Sequence, residues 1–296
     1  MRVIMKNKQL EVSVDTRGAE ICSVGDCETK EEFMWKADPK FWKRHSPVLF
    51  PFVGGLRDRQ YLYQGKRYHM GQHGFARDME FQLIEQAQTE IWFELNSNAS
   101  TKESYPFDFK LQLGYQLEER TITVLYRVIN PSNELLYFSI GGHPAFPCPY
   151  DENKEVYYVR LSHTKKLKSY FLDDKIGLRG LEPREVEFAY IDKDYAYIKL
   201  TKELFLKDAL IIENTQIKEV ALCYEDKTPY VTVEFDAPLF GIWSPANINN
   251  GAPFVCIEPW YGRCDAINSP EEIEKKDYVN KLNAKESFER SYTITF

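Results

Sequence analysis

The feature that most constrains this chain is an alternation of apolar and polar residues, with period two, that returns from one end of the sequence to the other. Residues 3–14 read as a hairpin turning near Asn7-Lys8, and residues 61–68 as another around Gln64-Gly65. Phe109-Lys110-Leu111-Gln112-Leu113 alternates strictly, and residues 121–129 follow after the charged turn at 118–120. Val231-Thr232-Val233-Glu234-Phe235 and residues 288–296 repeat the pattern. Successive side chains of a strand point to opposite faces, so this patterning predicts antiparallel sheets with one face buried. An aromatic content of 15% agrees, because such side chains suit a pleated, half-buried surface.

Helix signals are sparse. Ser269-Pro270-Glu271-Glu272 offers a capping serine, a proline at the first helical position and early acids, which predicts a short helix over 270–276. Residues 202–206 are a weaker candidate. No linker, low-complexity tract or repeat interrupts the chain, and the alternation of strand and helix with glycine-rich loops that marks nucleotide-binding folds is missing. The expectation is all-β, one large two-sheet sandwich forming a single domain over 1–296.

Net charge is −7 and the pI about 5.5, with no basic stripe, which argues against nucleic acid or an anionic membrane as partner. No apolar stretch approaches the roughly 20 residues of a membrane helix, and residues 1–10 lack the apolar segment of a secretory signal. Six cysteines without a C-x-x-C pair read as free thiols in a reducing compartment, and the expected location is cytoplasmic.

Histidine occurs five times, at 45, 69, 73, 143 and 163. His143 follows the apolar segment 135–140 inside Gly141-Gly142-His143-Pro144. The glycines would let a ligand approach the backbone, although a structural turn histidine fits the same pattern. His73 lies in Gln72-His73-Gly74-Phe75-Ala76-Arg77-Asp78, where Arg77 and Asp78 could equally form a surface ion pair. Glu258 ends the run Phe254-Val255-Cys256-Ile257 and precedes Pro259 and Trp260. It reads either as a partly desolvated base at a sheet edge, with Pro259 stopping the strand, or as an exposed strand-end carboxylate. Asp208 precedes the apolar segment 209–212 and by default is a turn or cap residue. H-x-H, H-E-x-x-H and G-x-S-x-G spacings are absent, so neither a metal site nor a serine nucleophile is expected. Two histidines and two carboxylates in an aromatic-rich β protein suit acid–base chemistry on a sugar, but their spacing does not show that they converge.

Taken together, His73-Gly74-Phe75-Ala76-Arg77, Gly141-Gly142-His143-Pro144-Ala145-Phe146 and Ile257-Glu258-Pro259-Trp260 resemble the aldose 1-epimerase superfamily, in particular its LacX-like branch. The likeness extends, in the same order, to Pro47-Val48-Leu49-Phe50-Pro51-Phe52-Val53-Gly54 and Asp208-Ala209-Leu210. It implies a galactose-mutarotase-like β-supersandwich with an open cleft and no metal or organic cofactor. It also implies a small-molecule sugar as partner, in a monomer or homodimer. Carried over by motif, Glu258 is the base at the anomeric hydroxyl and His143 the acid at the ring oxygen. His73 then orients the sugar, Asp208 grips hydroxyls, Arg77 is a further contact and Trp260 a stacking wall. Gly55 stands where the family pattern has a substrate-contacting arginine, with Arg57 and Arg59 nearby as substitutes. The expected activity is mutarotation of a free hexose, an isomerase reaction of carbohydrate metabolism. The alternatives are a hexose-6-phosphate 1-epimerase, a non-catalytic sugar-binding protein, or a glycoside-cleaving enzyme related by fold alone.

Overall fold

The alternation folds as antiparallel ladders. The computed structural model describes residues 1–148, 157–162, 164–173, 178–213, 217–245 and 253–296, so His163 lies outside the described residues. Among the described residues, strands account for 50% and helices for 7%. Both predicted hairpins form. Arg2–Lys6 pairs with Leu10–Asp15, Val3 opposite Val14 and Met5 opposite Val12. The Asn7 side chain closes the turn by accepting the amides of Gln9 and Leu10 at 2.8 Å each. Gln60–Tyr63 pairs with Lys66–His69 through Gln64 and Gly65, both left-handed (φ 48° and 74°), as a type I′ turn requires.

Among the described residues, ten strands hydrogen-bond into one sheet. Ser287–Thr295 lies inside it, pairing with Thr121–Ile129 on one side and Pro229–Phe235 on the other, so the last strand ties early and late ladders together. A second sheet holds, in spatial order, Leu210–Glu213, Leu239–Trp243, Phe254–Tyr261, Ile140–Gly142 and Val48–Leu49, with Ala145–Pro147 also paired to Phe254–Tyr261. One face of this sheet presents Ile212, Phe240, Ile242, Val255 and Ile257 to a buried cluster that includes Val124, Val233 and Ile294 of the larger sheet. Each such burial is worth about 1.5–3 kcal/mol. The opposite face carries Leu49, Ile211, Leu239 and Trp260, and beside them Ala145, Phe254 and Cys256. Phe254–Tyr261 is buried at every position because both of its faces are covered, which is why it reads as a continuous apolar run.

Three details differ from expectation. Pro259 does not stop its strand but pairs with Phe240 inside it. Ile257 N–H donates to Pro144 O at 3.3 Å, so by alternation the nitrogen of Pro259 points toward the same neighbour, near Gly142, where the ladder pairing lapses between Gly141 and Ala145. Segment 135–140 is not one strand. Leu136–Phe138 pairs with Asn280–Leu282, Ile140–Gly142 pairs elsewhere, and between them Ser139 N–H donates to Pro51 O at 2.8 Å. The predicted helix shrinks to a 3-10 turn, Ile273–Lys275, because the Ser269 hydroxyl accepts the Ala266 amide rather than capping the residues C-terminal to it. The second candidate is likewise a 3-10 turn, Lys202–Phe205. An α-helix forms instead at Ala99–Ser104, closed by a capping box between Asn98 and Thr101.

Candidate active site

The central pair is set by sheet register. Gly141 faces Trp260 and Ala145 faces Cys256, and counting inward from both places His143 opposite Glu258 on the adjacent strand. Their side chains share the face turned away from the main core, and His143 Nε2 lies 3.3 Å from Glu258 Oε2. Trp260 Nε1–H donates to the same oxygen at 3.3 Å. The Trp42 ring stacks on His143 (4.7 Å between centroids, 28°), and Trp243 meets it edge-on at 5.6 Å. Glu258 is therefore a buried strand residue, 2% exposed, not a strand-end carboxylate in solvent.

The neighbouring glycines serve the protein's own rings. A Cβ on Gly141 would fall 2.8 Å from Trp260 Cδ1, and one on Gly241 2.5 Å from Trp260 Cζ2. At Gly142 it would fall 2.6 Å from the Tyr292 hydroxyl. Close approach by Trp260 and Tyr292, rather than by a ligand, is what excludes side chains there.

His73 comes from a loop. It adopts φ 65° and exchanges hydrogen bonds with Gly54: its N–H donates to Gly54 O at 2.8 Å, and its Nδ1 accepts the Gly54 N–H at 3.0 Å. An accepting Nδ1 leaves the ring proton on Nε2. The ring meets His143 edge-to-face, 5.6 Å between centroids. Arg77 sits in the 3-10 turn Ala76–Asp78 and donates to Gln72 O at 2.8 Å, while its buried Nε has no hydrogen-bond partner. Its expected partner Asp78 is 3.9 Å away and is held instead by Arg44 at 2.6 Å. Asp208 (φ 65°) accepts the Ala209 amide at 2.7 Å, the turn role expected of it by default.

Glu258, His143, His73, Asp208, Arg77 and Trp260 all line one cavity of about 530 Å³. Trp42, Lys43, Arg44 and Trp243 line it too, and no sequence motif singled them out. The first three lie in a polar stretch with no periodicity, while Trp243, ending an apolar run of the site sheet, did carry a signal. Gly55 contributes to the wall, but Arg57 and Arg59 do not replace the side chain it lacks. Arg57 instead faces Glu271 at 3.6 Å.

Burial pushes the Glu258 carboxyl well above its ordinary range, against the pull of the Trp260 N–H and helped by the charge of Asp208. Burial lowers His143 to about 3, with Arg77 adding to the shift. His73 is driven well down by burial, then by His143, Arg77 and Arg44. Both shifts favour the uncharged forms, a protonated carboxyl beside a neutral imidazole, and moving the proton across the contact would give carboxylate and imidazolium.

Cys256, two residues before Glu258 on the same face, brings a sulfur within 4.8 Å of donor atoms of Glu258 and His143. Spacing along the chain gives no hint of this set, because it assembles across two strands. Burial first and Glu258 second raise the Cys256 thiol well above its usual value, so it keeps its proton and is a poor ligand as it stands.

The family model described as aldose 1-epimerase matches residues 1–278. The chain belongs to the aldose 1-epimerase family. Its relatives include the chromosomal LacX protein of Lactococcus lactis subsp. lactis, 30% identical over 100% of this chain and 99% of that one. Solved structures of the same fold include a galactose mutarotase related enzyme from Lactobacillus acidophilus, with TM-score 0.88 and 34% identity over 100% of this chain and 97% of that one. A galactose mutarotase-like protein from Lactobacillus casei superposes with TM-score 0.91 at 26% identity, covering 100% and 99% of the two chains. The expected galactose-mutarotase-like fold is therefore the one observed, and a sugar is the substrate class of the family.

Proposed function

We propose that this member of the aldose 1-epimerase family interconverts the α and β anomers of a hexose, with Glu258 as base and His143 as acid. The observation that carries the reading is the buried 3.3 Å contact between the two groups on the cavity wall, a pair poised to exchange one proton. In its carboxylate–imidazolium form, Glu258 takes the proton of the anomeric C1 hydroxyl while His143 protonates the ring oxygen. The C1–O5 bond breaks, its electron pair goes to the ring oxygen, and the C1 oxygen becomes the carbonyl of the open aldehyde. Rotation about C1–C2 and reclosure, with the two residues exchanging roles, give the other anomer. Each positioned proton transfer contributes on the order of 10²–10⁴ in rate. His73, neutral and with its proton on Nε2, is suited to donate to the ring oxygen without competing for the moving proton. Asp208 accepts from sugar hydroxyls, and the Trp260 indole offers a face for the C–H side of the ring.

One observation favours a second reading of the substrate. Lys43, Arg44 and Arg77 line the same cavity, and the buried Arg77 Nε lacks a partner, which suits an anionic group such as the phosphate of a hexose 6-phosphate. Mutarotation of α-D-galactose, α-D-glucose and glucose 6-phosphate, followed by polarimetry with wild type and Glu258→Gln, tests both. Acceleration by wild type alone supports the epimerase, and the preferred sugar decides between the readings. Sugar binding without acceleration would make the protein a non-catalytic sugar binder.

A further inference from the structure

A buried ion pair lies just outside the cavity wall, and no step of the reaction above uses it. Lys276 Nζ donates to both carboxylate oxygens of Asp265, at 2.8 and 2.7 Å, and to Pro270 O at 3.0 Å, so all three ammonium protons are engaged. Both side chains are buried, 7% and 4% exposed. An ion pair this deep is weak evidence for stability, because desolvation offsets most of its attraction. Its bonds point elsewhere. Asp265 Oδ2 also accepts the Arg57 amide at 2.9 Å, and Asp265 N–H donates to Gly55 O at 2.9 Å. The preceding residue, Cys264, packs so closely on Gly54 that any side chain there would collide with it. Segment 54–59 needs such a clamp, because Gly54, Asp58 and Arg59 are all left-handed (φ 69°, 54° and 54°). Gly54 in turn holds His73 by two hydrogen bonds, one of which fixes the ring tautomer.

We infer that the Asp265–Lys276 pair positions His73: by clamping segment 54–57 it holds the Gly54 amide against Nδ1, so that Nε2–H faces the substrate. Neither residue lines the cavity, so both act through Gly54 rather than on the sugar. The consequence for turnover rests on the proposed role of His73; the consequence for the tautomer does not.

The test is nitrogen NMR of histidine-labelled protein, wild type and Asp265→Asn, combined with mutarotation kinetics. Wild type should show His73 with a bare Nδ1 and a protonated Nε2, and Asp265→Asn a mixture of tautomers. kcat should fall about tenfold to a hundredfold with KM within about twofold, the scale of a small misplacement near the chemistry. Adding His73→Asn to Asp265→Asn should cost no more than His73→Asn alone. An unchanged tautomer in a folded Asp265→Asn protein overturns the inference, as do losses that multiply in the double variant. Should Asp265→Asn not fold, Lys276→Gln, which loosens the clamp from the other side, is read in the same way. If wild type proves inactive on every sugar, the tautomer measurement still decides, so the failure of the epimerase reading is distinguishable from the failure of this one.

Discussion

Two groups of residues meet in the cavity, and they are held by different means. Glu258 stands on its strand and His143 opposite it, in the short break between Ile140–Gly142 and Ala145–Pro147, both fixed by a register in which Gly141 faces Trp260 and Ala145 faces Cys256. Slipping that register by one residue would send Glu258 to the core face and Ile257 into the cavity, so the placement is all or none. His73, Arg77, Asp208 and Arg44 stand on loops and turns, two of them at φ 65°, and are placed by individual hydrogen bonds. Positions of this kind shift by degrees. In the proposed reaction the residues set by the sheet carry the proton chemistry, while those on loops carry orientation and choice of substrate.

The largest effects should come from the pair set by sheet register. Glu258→Gln and His143→Asn are each expected to cut kcat about 10³-fold while sugar binding stays measurable by calorimetry. The double variant should be little worse than either single one, because the two act as a unit. His73→Asn should cost about 10²-fold; a loss equal to that of Glu258→Gln would erase the distinction between the two groups.

The pH profile sharpens the comparison. In the proposed reaction the active pair holds one proton, so kcat/KM should fall both where a second proton is gained and where the shared one is lost. The acid limb, where a second proton is gained, lies far below the ordinary histidine value, since burial lowers His143. The alkaline limb, where the shared proton is lost, lies well above the ordinary carboxylate value, since burial raises Glu258. An acid limb near pH 6.5 would contradict this. The same shift predicts a stability effect. A carboxyl whose folded pKa exceeds its unfolded value favours folding at low pH, and that contribution is lost as pH rises through the folded pKa. Glu258→Gln, which cannot ionise, should therefore raise Tm, and by more at pH 9 than at pH 5. The smallest effect is expected at Arg77. Arg77→Ala should raise KM for a hexose 6-phosphate about tenfold, if that is the substrate, and leave KM for a free hexose within about twofold.

Legibility follows the same division. Strands such as Thr121–Ile129 and Pro229–Phe235 were readable because period-two burial leaves a direct trace in the sequence. Motifs single out six residues that the structure places around one cavity, although the register that joins His143 to Glu258 across 115 positions leaves no local trace. Lys43 and Arg44 were not readable, because a charged residue in an aperiodic loop looks the same whether it faces solvent or a cavity. The roles of Gly141 and Gly241 were hidden for a related reason: only the fold lays the Trp260 ring over them. Pro259 misled because the usual rule, that proline ends a strand, does not apply where its nitrogen faces a break between neighbouring strands.

The measurement closest to the central claim is saturation-exchange NMR between the anomers of D-galactose, and in parallel of D-glucose and glucose 6-phosphate, with equal amounts of wild type and Glu258→Gln. The account predicts rapid exchange for at least one sugar with wild type, and a rate near the uncatalysed one with the variant. Exchange that persists undiminished in Glu258→Gln would contradict the assignment of the proton chemistry to Glu258 and His143.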